Sequence, residues 1–398
     1  MSCPKPDVLV IGAGIAGASA AWTLAERGLN VTVLEANKPG HGGSGNPAAL
    51  LYPKLVKAAD LSSNLHSFAY LHTLSVLQDP RLATHFQQTG VLWLRPHDED
   101  QHIIDDQHPW NQHYVWPLSA EQASIQAGIN ITHNAYWLPQ AGVINPQGML
   151  SALLSHPLIN LVSETEVLSV HDDGQQWHAA CEHHRFTAPY LVIANAGEAQ
   201  RLKPTASLPI KPVRGQISSF TYESGPKVAI AYGGYLAPTA ANEFCLGATF
   251  QRGRTDCSPS TEDQLSNRDA LAQWLPQLMD KLPNVSLWRA RASLRWQTPD
   301  YLPLVGALPD MQVLKDKLTT ESWARNPQWP TNMPQRLQVS LGHGSKGFSQ
   351  AWVAAELIAN NLTGTAPGKF EPFYLALRPD RFLLRQWRRG QLNEVGSE

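Results

Sequence analysis

Residues 7–35 read DVLVIGAGIAGASAAWTLAERGLNVTVLE, and this stretch restricts the fold more than any other part of the chain. A short apolar run, Val8 to Ile11, enters Gly12, Gly14 and Gly17 in G-x-G-x-x-G spacing. A segment with helical periodicity follows, with Ala18, Ala20, Ala21 and Leu24 on or near its packed side. A second apolar run, Val31 to Leu34, ends in Glu35. Strand, tight turn, helix and strand make a βαβ unit of the kind that holds a dinucleotide. Gly12 permits the turn, Gly14 lets the backbone approach a pyrophosphate, and Gly17 lets helix and strand pack closely. The helix N-terminus, at Ile15, Ala16 and Gly17, offers free N–H groups and a partial positive charge to phosphates. Glu35 can accept hydrogen bonds from ribose hydroxyls, and its carboxylate disfavours a 2′-phosphate.

The chain has 398 residues, too many for one ordinary domain and enough for two with real cores. The formal net charge of −2 gives no global attraction to nucleic acid or anionic membrane, so any such binding needs a local patch. No apolar run approaches a membrane span, and the first strand lies too close to Met1 for a signal peptide. Cys3, Cys181, Cys245 and Cys257 show no metal-ligand spacing. They read as free thiols of a reducing, cytoplasmic compartment, and no metal site is expected. Residues 1–80, 145–210 and 296–398 are expected to form a discontinuous dinucleotide domain, interrupted by a substrate domain of 81–144 and 211–295. The latter alternates apolar and polar residues as an antiparallel sheet does. A cleft between such domains is the usual place for a small-molecule site. Residues 97–116 and 310–336 are polar and read as loops, with the histidines between 97 and 113 at the surface.

The opening motif does not separate NAD from FAD, but two later segments do. The loop after Glu35 contains Ser44, Gly45, Asn46 and Ala48, whose small side chains suit close approach to a pyrophosphate and an isoalloxazine edge. Residues 337–361 read as strand, glycine turn and helix, giving a second helix N-terminus at Gly344, Ser345, Lys346, Gly347 and Phe348. A reduced flavin carries negative charge near N1 and the C2 carbonyl, which such a terminus stabilises. Backbone N–H groups of Gly344, Gly347 and Phe348 are expected to face the flavin. Lys346 either adds a positive charge there or faces solvent.

The glycine spacing, extended by Ala21 and Gly28, resembles the fingerprint of the D-amino-acid oxidase superfamily of flavoproteins. GGSGNPAALLYPKL (42–55), PVRGQISSF (212–220), RASLRWQTPDYLPLVGALPD (291–310), GHGSKGF (342–348) and RPDRFLLRQWRRG (378–390) narrow the resemblance. Together they are similar to the oxidoreductase module of the bifunctional tRNA 5-methylaminomethyl-2-thiouridine biosynthesis proteins, over nearly the whole chain. The resemblance implies an α/β fold: a Rossmann-type FAD-binding domain with an interleaved α+β substrate domain, D-amino-acid oxidase or glutathione-reductase-2-like. It implies non-covalent FAD, with Val167, Ala196 and Gly197 among its contacts. It also implies cleavage of the carboxymethyl group from 5-carboxymethylaminomethyl-(2-thio)uridine at the tRNA wobble position. Hydride passes to the flavin, the imine hydrolyses to glyoxylate, and molecular oxygen reoxidises the flavin. Those relatives begin with a methyltransferase domain, so a stand-alone oxidoreductase working with a separate methyltransferase is expected. The alternatives are an oxidase for glycine, sarcosine or a D-amino acid, or an RNA-binding flavoprotein without turnover. No cysteine lies between 305 and 350 to link a flavin covalently.

Fixing a substrate carboxylate is best done by a bidentate arginine. Strand alternation puts Arg289, Arg291 and Arg295 on one face, and the resemblance to glycine oxidases assigns the carboxylate to Arg295. A structural ion pair is the competing role. Arg214 either reaches the flavin or serves its own strand. Arg381, Arg385, Arg388 and Arg389 follow i, i+4, i+7, i+8, so a helix would present one basic stripe to tRNA phosphates, or pair it with acids elsewhere.

Overall fold

The computed structural model describes residues 5–55, 61–94, 114–240, 242–320 and 336–391. The chain divides into two compact units: Met1–His41, Leu153–Lys211 and Trp296–Glu398 form the first, Gly42–Ala152 and Pro212–Arg295 the second. These bounds differ from those expected from sequence. Residues 42–80 and 145–152 join the second unit. The reason is strand pairing, since Ala49–Leu51 and Phe86–Gln87 both pair with Gly142–Ile144.

The first unit is built on a six-stranded sheet. Its order is Leu304–Ala307, Leu337–Leu341, Tyr190–Ile193, Val8–Ile11, Val31–Leu34 and Ile159–Val162. All neighbours are parallel except the Leu304–Ala307 edge. Parallel strands buried on both faces read as continuous apolar runs, as VLVI, VTVL and YLVI do. One face packs on a cluster that includes Leu9, Ile11, Leu191, Ile193, Val339 and Trp177. Also in this unit are the opening helix Ile15–Glu26 and the long helix Gly347–Thr363. Small residues let these helices lie close, so the Ser19 hydroxyl reaches the Ala351 carbonyl at 3.3 Å. No described helix is long and apolar enough to cross a membrane.

The second unit is a mainly antiparallel sheet centred on the long strand Lys211–Thr221, which pairs with Glu243–Gly247, Gln251–Arg252 and Arg289–Gln297. Its core includes Leu92, Trp137, Phe220, Ile230, Leu246 and Trp288. The expected loop at 310–336 is in part a helix, Met311–Thr320, whose Leu314 and Leu318 pack against Leu383, Leu384 and Trp387. The histidines between 97 and 113 lie outside the described residues.

The C-terminal helix Arg381–Arg388 forms as the arginine spacing predicts, but the stripe is not continuous. Arg381 is only 4% exposed. It forks onto both carboxylate oxygens of Asp300 at 2.8 and 3.1 Å and donates to the carbonyls of Leu302 and Pro303. It is therefore not available to RNA, and the expected role is corrected to a structural clamp. Arg385 is exposed yet also bonds Asp300, at 2.7 Å. Arg388 and Arg389 are exposed, with no carboxylate partner among the described residues.

Burial works to raise the Asp300 carboxyl pKa, but hydrogen bonds from Arg381, Arg385 and Thr298, with the Arg381 charge, outweigh it and bring it to about 2. A folded-state pKa below the unfolded value of about 3.9 stabilises the fold above that value and loses the contribution as pH falls toward 2. Asp300→Asn should cost about 1–2 kcal/mol at pH 7, and the deficit should shrink below pH 4. Denaturant unfolding of both proteins at the two pH values checks this; an equal deficit at both removes the clamp from the account.

Candidate active site

The carboxyl edge of the first unit's sheet gathers most of the residues expected to hold the dinucleotide. Gly12 leaves Val8–Ile11 with φ +102°, a conformation open to glycine. A Cβ there would lie 2.8 Å from the Ala194 carbonyl oxygen and the Asn195 Cα. A Cβ on Gly17 would lie 1.9 Å from the Gly12 carbonyl oxygen, so the helix can approach the strand only because that atom is missing. Gly14 caps the helix that begins at Ile15, with Ala16 in its first turn. Glu35 accepts the Ala13 N–H at 2.7 Å on one oxygen and the Asn37 N–H at 2.9 Å on the other. It thereby ties the glycine turn to the end of the second strand. Each carboxylate oxygen has a further lone pair for a ribose hydroxyl.

The residues after the neighbouring strands fall on the same edge. Thr165 donates its N–H to the Glu35 carbonyl at 2.8 Å, and Val167 follows it, buried in the core. Asn195 follows Tyr190–Ile193, and its side-chain oxygen is buried without a hydrogen-bond partner among the described residues. Such an acceptor suits a hydroxyl donor. Sequence reasoning passed over Asn195, although its place just past a buried strand was a usable signal. Ala196 is exposed in the left-handed region at φ +54°, and Gly197 is buried beneath the Trp296 indole.

The second helix N-terminus is where sequence placed it. Lys346 is the N-cap of Gly347–Thr363, so Gly347 and Phe348 sit in a first turn whose N–H groups have no partner within the helix. A Cβ on Gly347 would lie 3.1 Å from the Ile15 side chain, so the two helix starts adjoin. Two positive dipole ends therefore share one sheet edge. Ser345 is exposed, and Lys346 half-buried. Gly344 departs from expectation, because its N–H donates to the Trp296 carbonyl at 2.8 Å and anchors the turn instead of facing a cofactor. His343 meets Ser340 at 2.9 Å, and burial pushes its pKa down to about 4, so it is neutral at pH 7.

In the second unit Arg214 is fully buried and has no reactive role. Its five N–H donors go to Asp256 O, Gln251 Oε1, Asp263 Oδ2, Gln216 Oε1 and Ser258 O, at 2.6–3.3 Å. A guanidinium has five donors, so none is left for a flavin or substrate. The expected catalytic role is replaced by a strut. Ser44, Gly45, Asn46 and Ala48 also lie in this unit, Ser44 and Gly45 in a 3-10 turn. Arg291 holds the loop, donating to Asn46 Oδ1 at 2.9 Å and the Gly42 carbonyl at 2.6 Å. Arg289 forms a surface ion pair with Glu243.

Arg295 differs from all of these. It is partly buried, and no carboxylate among the described residues pairs with it. Burial lowers its pKa, with the nearby Tyr235 phenol acting in the opposite sense. That phenol meets the Cys245 sulfur at 3.7 Å. A guanidinium, which cannot shed its proton, beside a phenol with donor capacity makes a site for an anion. Tyr235 was not visible to local sequence reasoning, because long-range strand pairing brings it there.

Removing a guanidinium that holds a buried carboxylate leaves that charge unpaired and costs about 3–5 kcal/mol. Asp263 is 2% exposed, so Arg214→Ala should destabilise the second unit by that order. Denaturant unfolding reads the loss. A variant of normal stability without turnover would return Arg214 to the catalytic set.

The glycine turn, the Glu35 acceptor, the orphan acceptor of Asn195 and the paired helix termini together fit FAD. A family model described as FAD dependent oxidoreductase (DAO) matches residues 7–361. The "tRNA 5-methylaminomethyl-2-thiouridine biosynthesis bifunctional protein MnmC" of Methylobacillus flagellatus is 34% identical over 95% of this chain. The protein of the same name from Ectopseudomonas mendocina is 32% identical over 96%. The chain spans 59% and 60% of the length of these curated relatives. Glycine oxidase from Geobacillus kaustophilus superposes with TM-score 0.74 at 19% identity, covering 92% of this chain and 96% of that one. L-proline dehydrogenase from P. horikoshii gives 0.76 at 19%, covering 96% and 98%. Fold, cofactor edge and family match agree, and the chain belongs to the FAD-dependent oxidoreductases of the DAO family.

Proposed function

We propose that this chain oxidises the carboxymethylamino group of a 5-carboxymethylaminomethyl-(2-thio)uridine at the tRNA wobble position. The observation that carries the reading is Arg295: a partly buried cation with no carboxylate partner among the described residues, in a chain similar to proteins named for tRNA wobble-uridine biosynthesis. Arg295 binds the substrate carboxylate in a bidentate grip, and Tyr235 adds a donor. The amine is held neutral, so its lone pair can form the C=N bond as hydride leaves the CH₂. Water then adds to the imine carbon, the C–N bond breaks, and glyoxylate and aminomethyl-uridine leave. Bound FAD would supply the two-electron acceptor for that hydride, with molecular oxygen as the final acceptor reduced to hydrogen peroxide.

The first unit's residues supply the rest. The N–H groups of Gly14, Ile15 and Ala16 hold the pyrophosphate, and Glu35 the ribose. Those of Gly347 and Phe348, with the Lys346 charge, stabilise negative charge on the reduced ring. Val167, Ala196 and Gly197 lie at the same edge as backbone contacts. In the second unit Arg291 fixes the Ser44–Asn46 loop, and this loop and Ala48 are assigned to flavin contact from the small size of their side chains. Arg388 and Arg389, with Arg385 beside them, take tRNA phosphates. A methyltransferase activity completes the modification, in the cytoplasm.

Cells lacking this gene should accumulate carboxymethylaminomethyl-uridine in wobble nucleosides measured by mass spectrometry; unchanged levels sink the tRNA reading. Arg295→Ala should keep its flavin yet lose reduction by substrate. Arg388→Glu with Arg389→Glu should weaken tRNA binding and flatten its salt dependence by a log–log slope of about 2. Binding and salt slope like the wild type's would take those two arginines out of the RNA contact.

A further inference from the structure

The Arg-Gly-Gln run at 214–216 has no reactive role in the reading above, yet its geometry is tightly built. We propose that this triplet fixes where the Arg295 guanidinium lies, with Gly215 as a bare platform beneath it. The proposal rests on the reading of Arg295 as carboxylate anchor. An ideal Cβ on Gly215 would fall 2.7 Å from Arg295 Nη1, 2.8 Å from Cζ and 2.9 Å from Nη2. Three guanidinium atoms at nearly equal distance mean that the group lies flat over this residue. One of its faces lies against Gly215, and its N–H donors, which lie in its plane, are left for a carboxylate fork.

The flanking residues explain why the platform does not move. Strand alternation turns Arg214 and Gln216 to the opposite face from Gly215. Arg214 spends its five donors there. The Gln216 side chain accepts the Ser260 N–H at 2.8 Å and donates to the Ser260 carbonyl at 2.7 Å, while its own N–H donates to the Thr249 hydroxyl at 2.9 Å. Two firmly hydrogen-bonded side chains thus hold the backbone on either side of the one position that must carry no side chain. Any Cβ at 215 displaces the guanidinium, because its contacts would be closer than real Cβ atoms make. Gly215 is a positioning residue, acting through Arg295.

Two synthetic anticodon stem-loop RNAs test this, one bearing carboxymethylaminomethyl-uridine at the wobble position and one bearing aminomethyl-uridine. Binding is measured by calorimetry on anaerobic enzyme with its flavin chemically reduced, so that no turnover occurs. Wild type should prefer the carboxylate RNA. Gly215→Ala and Arg295→Ala should each lose that preference, on the order of tenfold or more, with binding of the aminomethyl RNA unchanged. In the Arg295→Ala background Gly215→Ala should cost nothing further. A retained preference in Gly215→Ala, equal weakening toward both RNAs, or a cost that persists without Arg295 overturns the platform. A retained preference in Arg295→Ala alone overturns the anchor reading instead. If Gly215→Ala does not fold, Gly215→Ala/Arg295→Lys decides: recovered folding supports the contact, and continued failure overturns it.

Discussion

A single missing methyl group sets the arrangement of the first unit. The Gly12 carbonyl oxygen lies where a Cβ of Gly17 would be, 1.9 Å away, so the opening helix can pack directly on the turn that starts it. That contact points the helix N-terminus past the end of Val8–Ile11. It leaves the Ala13 N–H facing Glu35 and lets the second helix start adjoin at Ile15 and Gly347. The alanines behind it, Ala18, Ala20 and Ala21, are fully buried and continue the same logic down the helix. A larger residue at 17 would move the helix off the strand and separate the groups that form the anion edge.

The second unit shows how partners, and not residue type, decide what an arginine does. Arg214 and Arg295 lie on paired strands, the first fully buried and the second partly so. Arg214 has a buried carboxylate and a full set of acceptors, so it contributes stability and no chemistry. Arg295 has a glycine under it and no carboxylate partner among the described residues, so an arriving anion would compensate its partly buried charge. Leaving a charge incompletely paired is costly for a fold, which is why such groups mark sites.

Much of this was legible in the sequence, and the limits have physical causes. The βαβ unit was readable because its glycines, apolar runs and terminal acid all sit within one short segment, where spacing alone fixes geometry. The second helix start was readable for the same reason. Domain boundaries were less so, since the pairing of Ala49–Leu51 with Gly142–Ile144 is a long-range event. The arginine tail was half legible. Helical spacing gave the stripe, but Asp300, far away in sequence, claims Arg381 and part of Arg385. The Gly344 N–H was assigned to a cofactor from its glycine-rich context, whereas the Trp296 carbonyl accepts it. Tyr235 and the Gly215 platform exist only once distant strands have paired.

The central proposal is that this chain uses FAD at the first unit's edge to oxidise a carboxymethylamino group on RNA, and that Arg295, with no carboxylate partner among the described residues, holds its carboxylate. Anaerobic mixing of the yellow enzyme with a carboxymethylaminomethyl-uridine stem-loop tests it most directly, with flavin absorbance and glyoxylate both measured. The account predicts that the flavin bleaches and one glyoxylate forms per flavin, while glycine and sarcosine at the same concentration leave it yellow. Bleaching by the small amines but not by the RNA would contradict it.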